Sequence, residues 1–180
     1  MKNEYAVLGL GESIREFTWE NDVTTVGVND IYRACHVDHL VCVDPQRVFS
    51  EERLFAIRNS TPKKFHSDLL EWKPFFGERF QQFERQKPRS SLIKLDEGKI
   101  CYSICSPYVA CIIAYKLGAT DIVMYGVDFN SHKTLSLRHK QAIIQRDFTN
   151  LYNELKKRNV KLMVGSDKSF LSGFLPIKAF

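Results

Sequence analysis

Gly9-Leu10-Gly11-Glu12-Ser13 follows a short apolar run, Tyr5–Leu10, and precedes a segment with helical character. Glycines at such a junction let the backbone come close to a phosphate, and the following helix N-terminus offers free N–H groups and the positive end of a dipole. The plain alternative is a glycine-rich turn used for packing. A dinucleotide fingerprint needs a third small residue, but position 14 is Ile, while Asp30 falls near where a ribose-binding acid is expected. Three further segments carry polar residues just after strand-like runs: Val28-Asn29-Asp30, Val43-Asp44-Pro45 and Gly126-Val127-Asp128-Phe129. In an open parallel sheet, ligands bind outside the carboxyl ends of the strands. One such Asp is commonly a turn former; several together suggest a binding edge.

Beyond Asp128, His132 and His139 are candidate general bases, because imidazole titrates near neutral pH. A single loop His is as readily a solvated side chain. Lys133, Arg138, Lys140 and Arg146 accompany them and are candidate phosphate or acceptor contacts, or simply a charged solvated face. Cys35-His36-x-x-His39-x-x-Cys42 has metal-ligand residue types, but residues three apart in a strand point to opposite faces, so no metal site is expected.

The elements that must hold these residues alternate along the chain. Strands are expected at Tyr5–Leu10, Val23–Val28, His39–Val43, Asp121–Tyr125 and Lys161–Val164, and helices at Glu12–Glu20, Ser103–Leu117 and Ile143–Arg158, with a short turn or helix at Asp30–Ala34. Gly118 is placed to cap the second of these helices in the left-handed conformation. Phe148, Leu151, Tyr152 and Leu155 give the last helix an apolar stripe. Alternation of this kind predicts an α/β, Rossmann-like open and mainly parallel sheet with helices on both faces. The stretch Gln46–Lys99 is charged, aromatic and interrupted by Pro62, Pro74 and Pro88, and reads as a helical and loop insertion or lid within one domain spanning 1–180.

Size and charge fit that reading. At 180 residues the chain can bury a core without a disulfide or metal staple. Five cysteines, none in a CxxC pair, read as reduced thiols of a cytoplasmic protein. The N-terminus has no signal-peptide pattern and the longest apolar run is too short for a membrane span. The net charge of +5 conceals an uneven distribution: residues 1–45 hold 3 Lys/Arg against 8 Asp/Glu, and the remainder 23 against 13.

The order of the motifs adds more than any one of them. A Gly-x-Gly-x-Ser turn, Asn29, Asp44-Pro45, then Ser103-Ile104-Cys105-Ser106 opening a helix that ends in Lys116-Leu117-Gly118-Ala119, then Asp121–Phe129, and finally Lys161-Leu162 and Lys168-Ser169-Phe170-Leu171. This order resembles the bacterial sialyltransferases with a Rossmann-like fold, and a wider set that includes hydroxymethylpterin diphosphokinase-like, motility accessory and phage-borne proteins. The resemblance spans 5–45 and 101–175. It implies a nucleotide-activated sugar as donor substrate, with no tightly bound cofactor, and a cytidine-nucleotide role for Gly9, Gly11, Ser13, Asn29 and Ser106, joined at the same edge by Asp44 and Gly126. It implies a catalytic His, for which His132 and His139 are the candidates beside Asp128. The chain departs from the family in having Leu10 and Glu12 where Asn and Pro are usual, and in lacking a Tyr in the loop after Asp128.

Four functions follow as expectations. The first is glycosyl transfer to a hydroxyl acceptor. The second keeps that chemistry with a modified DNA base, or another nucleic acid, as acceptor, as in a phage enzyme acting in the host cytoplasm. Lys63, Lys64, Arg79, Arg85, Lys87 and Arg89 interleaved with Phe75, Phe76, Phe80 and Phe83 would then serve phosphate contacts and stacking. The third is ATP-dependent diphosphoryl transfer with Mg²⁺ on Asp44 and Asp128. The fourth is a non-catalytic nucleotide-binding module. The related enzymes also imply a homo-oligomer.

Overall fold

A computed structural model describes residues 3–19, 22–86, 95–130, 132 and 135–179. The strands and helices in chain order are β1 (Glu4–Leu8), β2 (Thr24–Val28), β3 (His39–Val41), α1 (Glu51–Arg58), β4 (Lys64–Ser67), the single turn α2 (Lys73–Phe76), β5 (Phe80–Gln82), β6 (Glu84–Arg85), β7 (Lys99–Ile100), α3 (Ser106–Lys116), β8 (Asp121–Tyr125), α4 (Arg138–Lys156) and β9 (Lys161–Val164). Short 3₁₀ turns join many of them, including Glu12–Glu16 and Ile31–Arg33.

Seven strands form one sheet in the order β5-β4-β3-β2-β1-β8-β9, and every pairing is parallel. β6 and β7 make a separate two-stranded parallel pair. From β1 the chain steps outward through β2 to β5, then returns to the other side of β1 for β8 and β9. The order therefore reverses between β1 and β8, the kind of switch point at which open α/β sheets leave a crevice.

The pleat sorts each strand between two cores. In β1, Tyr5 and Val7 face α3 and α4, whereas Ala6 and Leu8 face the side of Ile57, Phe65 and Trp72. α3 is apolar almost all round and buried accordingly, with Pro107 in its first turn, where no intrahelical donor is lost. It ends in a Schellman motif: Gly118 has φ +95°, its N–H bonds the Tyr115 carbonyl, and the Ala119 N–H bonds that of Ala114. α4 lays Ile144, Phe148, Leu151 and Leu155 against the same core.

The expected α/β Rossmann-like sheet is present. Three details differ from the sequence reading. The segment after the Gly-rich turn forms one 3₁₀ turn over Glu12–Glu16 rather than a helix to Glu20. α4 begins at Arg138, five residues before the expected start. The stretch 46–99 does more than cover an edge, since β4 and β5 extend the main sheet by two strands. β4, Lys-Phe-His-Ser, pairs with β3 through Leu40↔Phe65 and Val41↔His66. Four of the five cysteines are buried and Cys35 is half-buried, and all are free thiols. Among the described residues no helix is long and apolar enough to cross a membrane.

Candidate functional site

A cavity of about 400 Å³ opens at the carboxyl ends of β1, β2, β3 and β8. Gly9, Leu10 and Gly11 line it from β1, Val28 and Asn29 from β2, Asp44 from β3, and Gly126–Phe129 from β8. Ile104–Pro107, at the start of α3, close one side, and Tyr102, Arg53, His132 and Leu135 complete the wall.

The glycines of the first turn are required by the protein itself. A Cβ on Gly9 would lie 2.3 Å from the Gly126 carbonyl oxygen, and one on Gly11 2.5 Å from an Asp128 carboxylate oxygen. Gly126, at φ +65°, would in turn place a Cβ 2.3 Å from the Gly9 oxygen. The Gly9 N–H donates to the Tyr125 carbonyl at 2.8 Å and the Gly11 N–H to that of Gly126 at 2.7 Å. The turn after β1 is thus zipped onto the turn after β8, and side chains are excluded because backbone meets backbone.

Ser13 and Asp128 lock this seam. The Ser13 N–H donates to one Asp128 oxygen at 2.9 Å and its hydroxyl donates to the other. The Ser13 Oγ accepts from the Gly126 N–H at 2.8 Å. Ser13, expected at the ligand, instead stands behind the cavity wall, and Asp128 spends both oxygens on it.

Asn29 and Phe129 hold left-handed backbone, φ +52° and +60°. Such conformations are uncommon outside glycine, most of all for a bulky aromatic, and tend to gather at sites of function. Here both residues line the cavity. The Asn29 N–H is held by the Val41 carbonyl at 3.0 Å, and its side-chain oxygen accepts from the Ser106 hydroxyl at 3.4 Å, tying the end of β2 to the first turn of α3. Two bonds fix the backbone around Phe129: Phe170 N–H to the Asp128 carbonyl, 2.9 Å, and Ser169 hydroxyl to that of Val127, 2.8 Å.

Arg53 is the one Lys or Arg side chain that lines the cavity among the described residues. Its Nε and Nη2 donate to the two oxygens of Asp30, at 3.0 and 2.6 Å. Asp30 is nearly fully buried and also faces Arg33 at 3.5 Å. The acid that sequence placed near a ribose is therefore committed to holding an arginine. Arg53 went unnoticed in sequence because α1, Glu-Glu-Arg-Leu-Phe-Ala-Ile-Arg, is an ordinary charged helix. Tyr102 was missed as well. It supplies an aromatic wall from the segment before α3, with the Arg85 guanidinium 4.2 Å from its ring centroid.

Asp44 is the remaining carboxylate of the cavity. Burial raises its pKa above the usual carboxylate range, against the pull of Arg85 and Arg53 and with a further push from Asp68. Its main-chain oxygen accepts from the Trp72 indole at 3.2 Å, while its side-chain oxygens accept no hydrogen bond from any described residue.

The two histidines separate. His132 lines the cavity, and its Nδ1 accepts the Leu135 N–H at 3.0 Å. His139 is exposed in the first turn of α4 and is not among the cavity-lining residues. Arg138 and Lys140 share that turn, also away from the lining, and Lys133 lies outside the described residues.

The proposed nucleic-acid face is redistributed. Phe76, Phe80 and Phe83 pack into or against the cores, leaving Phe75 as the most exposed of the four aromatics. Lys63 pairs with Asp38 and Arg85 with Asp68, while Lys87 and Arg89 lie outside the described residues. His39 Nδ1 meets His66 Nε2 at 3.0 Å across β3 and β4, and burial lowers the pKa of both, that of His66 to about 4. Among the described residues no three His, Cys, Asp or Glu side chains come together as a metal site.

An open parallel sheet with its cavity at the switch point defines the class as Rossmann-like α/β. Within that class the chain has the fold of the bacterial sialyltransferases. It superposes on the sialyltransferase CstII from Campylobacter jejuni in complex with cytidine-5'-monophosphate with a TM-score of 0.64, at 15% identity, over 98% of this chain and 85% of that one. The same enzyme with a trisaccharide acceptor and CMP gives 0.57 at 14%, over 98% and 86%. The monofunctional alpha-2,3-sialyltransferase Cst-I of C. jejuni gives 0.62 at 16%, over 99% and 81%. No protein-family model matches the chain, and no curated protein matches it.

Proposed function

We propose that the chain transfers a sugar from a nucleotide-activated donor to a hydroxyl acceptor. The observation that carries this reading is the switch-point cavity itself, where Asn29, Ser106, Arg53 and Asp44 converge on a space large enough for a nucleotide. Its support from likeness is that solved proteins of this fold hold CMP, a CMP-sugar analogue and a trisaccharide acceptor.

In this reading the donor's nucleotide lies against Gly9–Gly11, Asn29 and Ser106, with its phosphate toward Arg53. A fixed cation there stabilises the charge that builds on the departing phosphate. The Asp30 grip holds the guanidinium in place before substrate arrives, so little reorganisation is needed. Tyr102 and Leu10 stand at the acceptor side. The inward packing of Phe76, Phe80 and Phe83 leaves Phe75 the most exposed of the four aromatics, which favours a glycan-like hydroxyl over a DNA base as acceptor. The bonds from Ser13 to both Asp128 oxygens likewise weigh against the Mg²⁺-diphosphoryl reading.

The test is a thermal-shift series with CMP, CMP-, UDP- and GDP-sugars and ATP–Mg²⁺. Stabilisation by a nucleotide or its sugar, lost in Arg53→Ala, is expected. Indifference of the wild-type protein to every compound would refute the proposal. Stabilisation by ATP–Mg²⁺ alone would favour diphosphoryl transfer.

A further inference from the structure

Transfer of a sugar to a hydroxyl needs a group to take the hydroxyl proton, and among the described residues four carboxylate or imidazole side chains stand in or behind the cavity wall. Three are otherwise engaged. Asp128 accepts from the Ser13 N–H and hydroxyl through its two oxygens. Asp30 is closed behind Arg53 in a bidentate pair and is almost fully buried. His132 lines the cavity, but its Nδ1 is taken up in accepting from the Leu135 backbone.

The fourth is Asp44. It lies in the cavity wall, and its carboxylate oxygens accept no hydrogen bond from any described residue. Its backbone is nonetheless fixed, since the Trp72 indole donates to its carbonyl at 3.2 Å and the Arg85 Nη2 to that of Val43 at 3.1 Å. A carboxylate on a rigid support, open to the cavity and uncommitted among the described residues, is the arrangement a general base requires.

Resting on the glycosyl-transfer reading above, we propose that Asp44 is the general base of this site. In the step it performs, the acceptor O–H bond breaks and its proton passes to an Asp44 carboxylate oxygen. The acceptor oxygen then bonds to the anomeric carbon, and the bond from that carbon to the phosphate oxygen breaks. The leaving nucleotide keeps the electron pair, facing Arg53. Asp44 ends neutral and returns its proton to solvent.

The charged surroundings suit the task. Arg53 of α1 and Arg85 of β6 face Asp44 with positive charge, and Asp68, beyond β4, with negative charge, while burial favours the protonated form. The result is a carboxylate with a raised pKa, and so a better proton acceptor than an exposed one.

The acceptor need not be known to test this, because water serves. Each CMP-, UDP- and GDP-sugar is incubated with the protein, release of nucleotide is followed against pH, and binding of the free nucleotides is measured alongside. For Asp44→Asn, turnover falls at least about 100-fold, the acid limb of the wild-type pH profile disappears, and nucleotide affinity stays within about twofold of wild type. For Asp44→Ala, added formate restores part of the turnover. Turnover in Asp44→Asn within threefold of wild type, or an unchanged pH profile, overturns the assignment. So does loss of nucleotide affinity in that variant, which would make Asp44 a binding residue. A wild-type protein that binds nucleotide but releases none from any donor overturns the assignment and leaves nucleotide binding standing. A wild-type protein that binds no nucleotide removes the underlying reading itself.

Discussion

Replacing Gly9 with Ala tests whether the first turn is glycine-rich for packing. The added methyl would lie 2.3 Å from the Gly126 oxygen, 3.0 Å from its carbon and 3.2 Å from a Val127 methyl. Backbone cannot rotate away as a side chain can, so the turns after β1 and β8 must separate. Overpacking alone costs about 1–3 kcal/mol. Separation also weakens the bonds from Gly9 to Tyr125 and from Gly11 to Gly126, each a net contribution of about 1 kcal/mol. The sum is a loss of about 3–5 kcal/mol, which in a protein of this size lowers Tm by roughly 6–20 °C. Gly173→Ala is the control: nothing lies within 4 Å of a Cβ there and φ is not left-handed, so its effect stays within about 0.5 kcal/mol. Urea unfolding followed by circular dichroism measures both. A Gly9→Ala variant as stable as Gly173→Ala, yet unable to bind nucleotide, would refute the packing argument and return the glycines to the phosphate.

Further expectations concern the seam, the arginine clamp, the helix cap and pH. Ser13→Ala keeps the backbone N–H bond to one Asp128 oxygen but leaves the other oxygen and the Gly126 N–H without the hydroxyl, and is expected to cost about 2–3 kcal/mol by urea midpoint. Arg53→Ala leaves Asp30 buried with only Arg33, itself partly exposed, as counter-charge; a loss of about 2 kcal/mol is expected, reduced from the fully buried case because Arg53 reaches solvent. Gly118→Ala forces a side chain into φ +95° and is expected to lower stability by about 1 kcal/mol. His66, held neutral by burial with a pKa of about 4 against the ordinary 6.5 of a histidine, binds fewer protons folded than unfolded between those values. Stability therefore rises with pH from about 4 to 6.5, by up to about 3 kcal/mol. His66→Leu is expected to flatten that slope, and an unaltered slope would assign the titration elsewhere.

The elements read best in sequence are those whose burial is symmetrical. β1, β2, β8 and β9 sit inside the sheet or against a helix and appear as short apolar runs, while α3 declares itself by length and by Gly118. β4 and β5 are illegible because Lys64-Phe65-His66-Ser67 and Phe80-Gln81-Gln82 mix polar and apolar residues, as strands near a solvated edge do. The candidate site was legible where it depends on position along strands, as for Asn29, Asp44, Ser106 and Gly126. It was not legible where a role depends on pairing between distant segments. Nothing in sequence tells that Asp30 serves Arg53 across 23 positions or that Ser13 consumes Asp128 across 115. Which of His132 and His139 stands at the cavity turned on the first residue of α4, and helix boundaries are the least certain feature of a sequence reading.

The position of β1 has a consequence in time. It pairs with β2, made moments after it, and with β8, whose last residue follows Leu8 by 117 positions. At ribosomal rates of roughly 5–20 residues per second, β1 waits on the order of ten seconds with one edge open. Throughout that wait Gly9 and Gly11 have no Gly126 to meet, and Ser13 has no Asp128. The seam that forms the cavity therefore cannot exist on a nascent N-terminal half, and the site is assembled only once β8 has emerged.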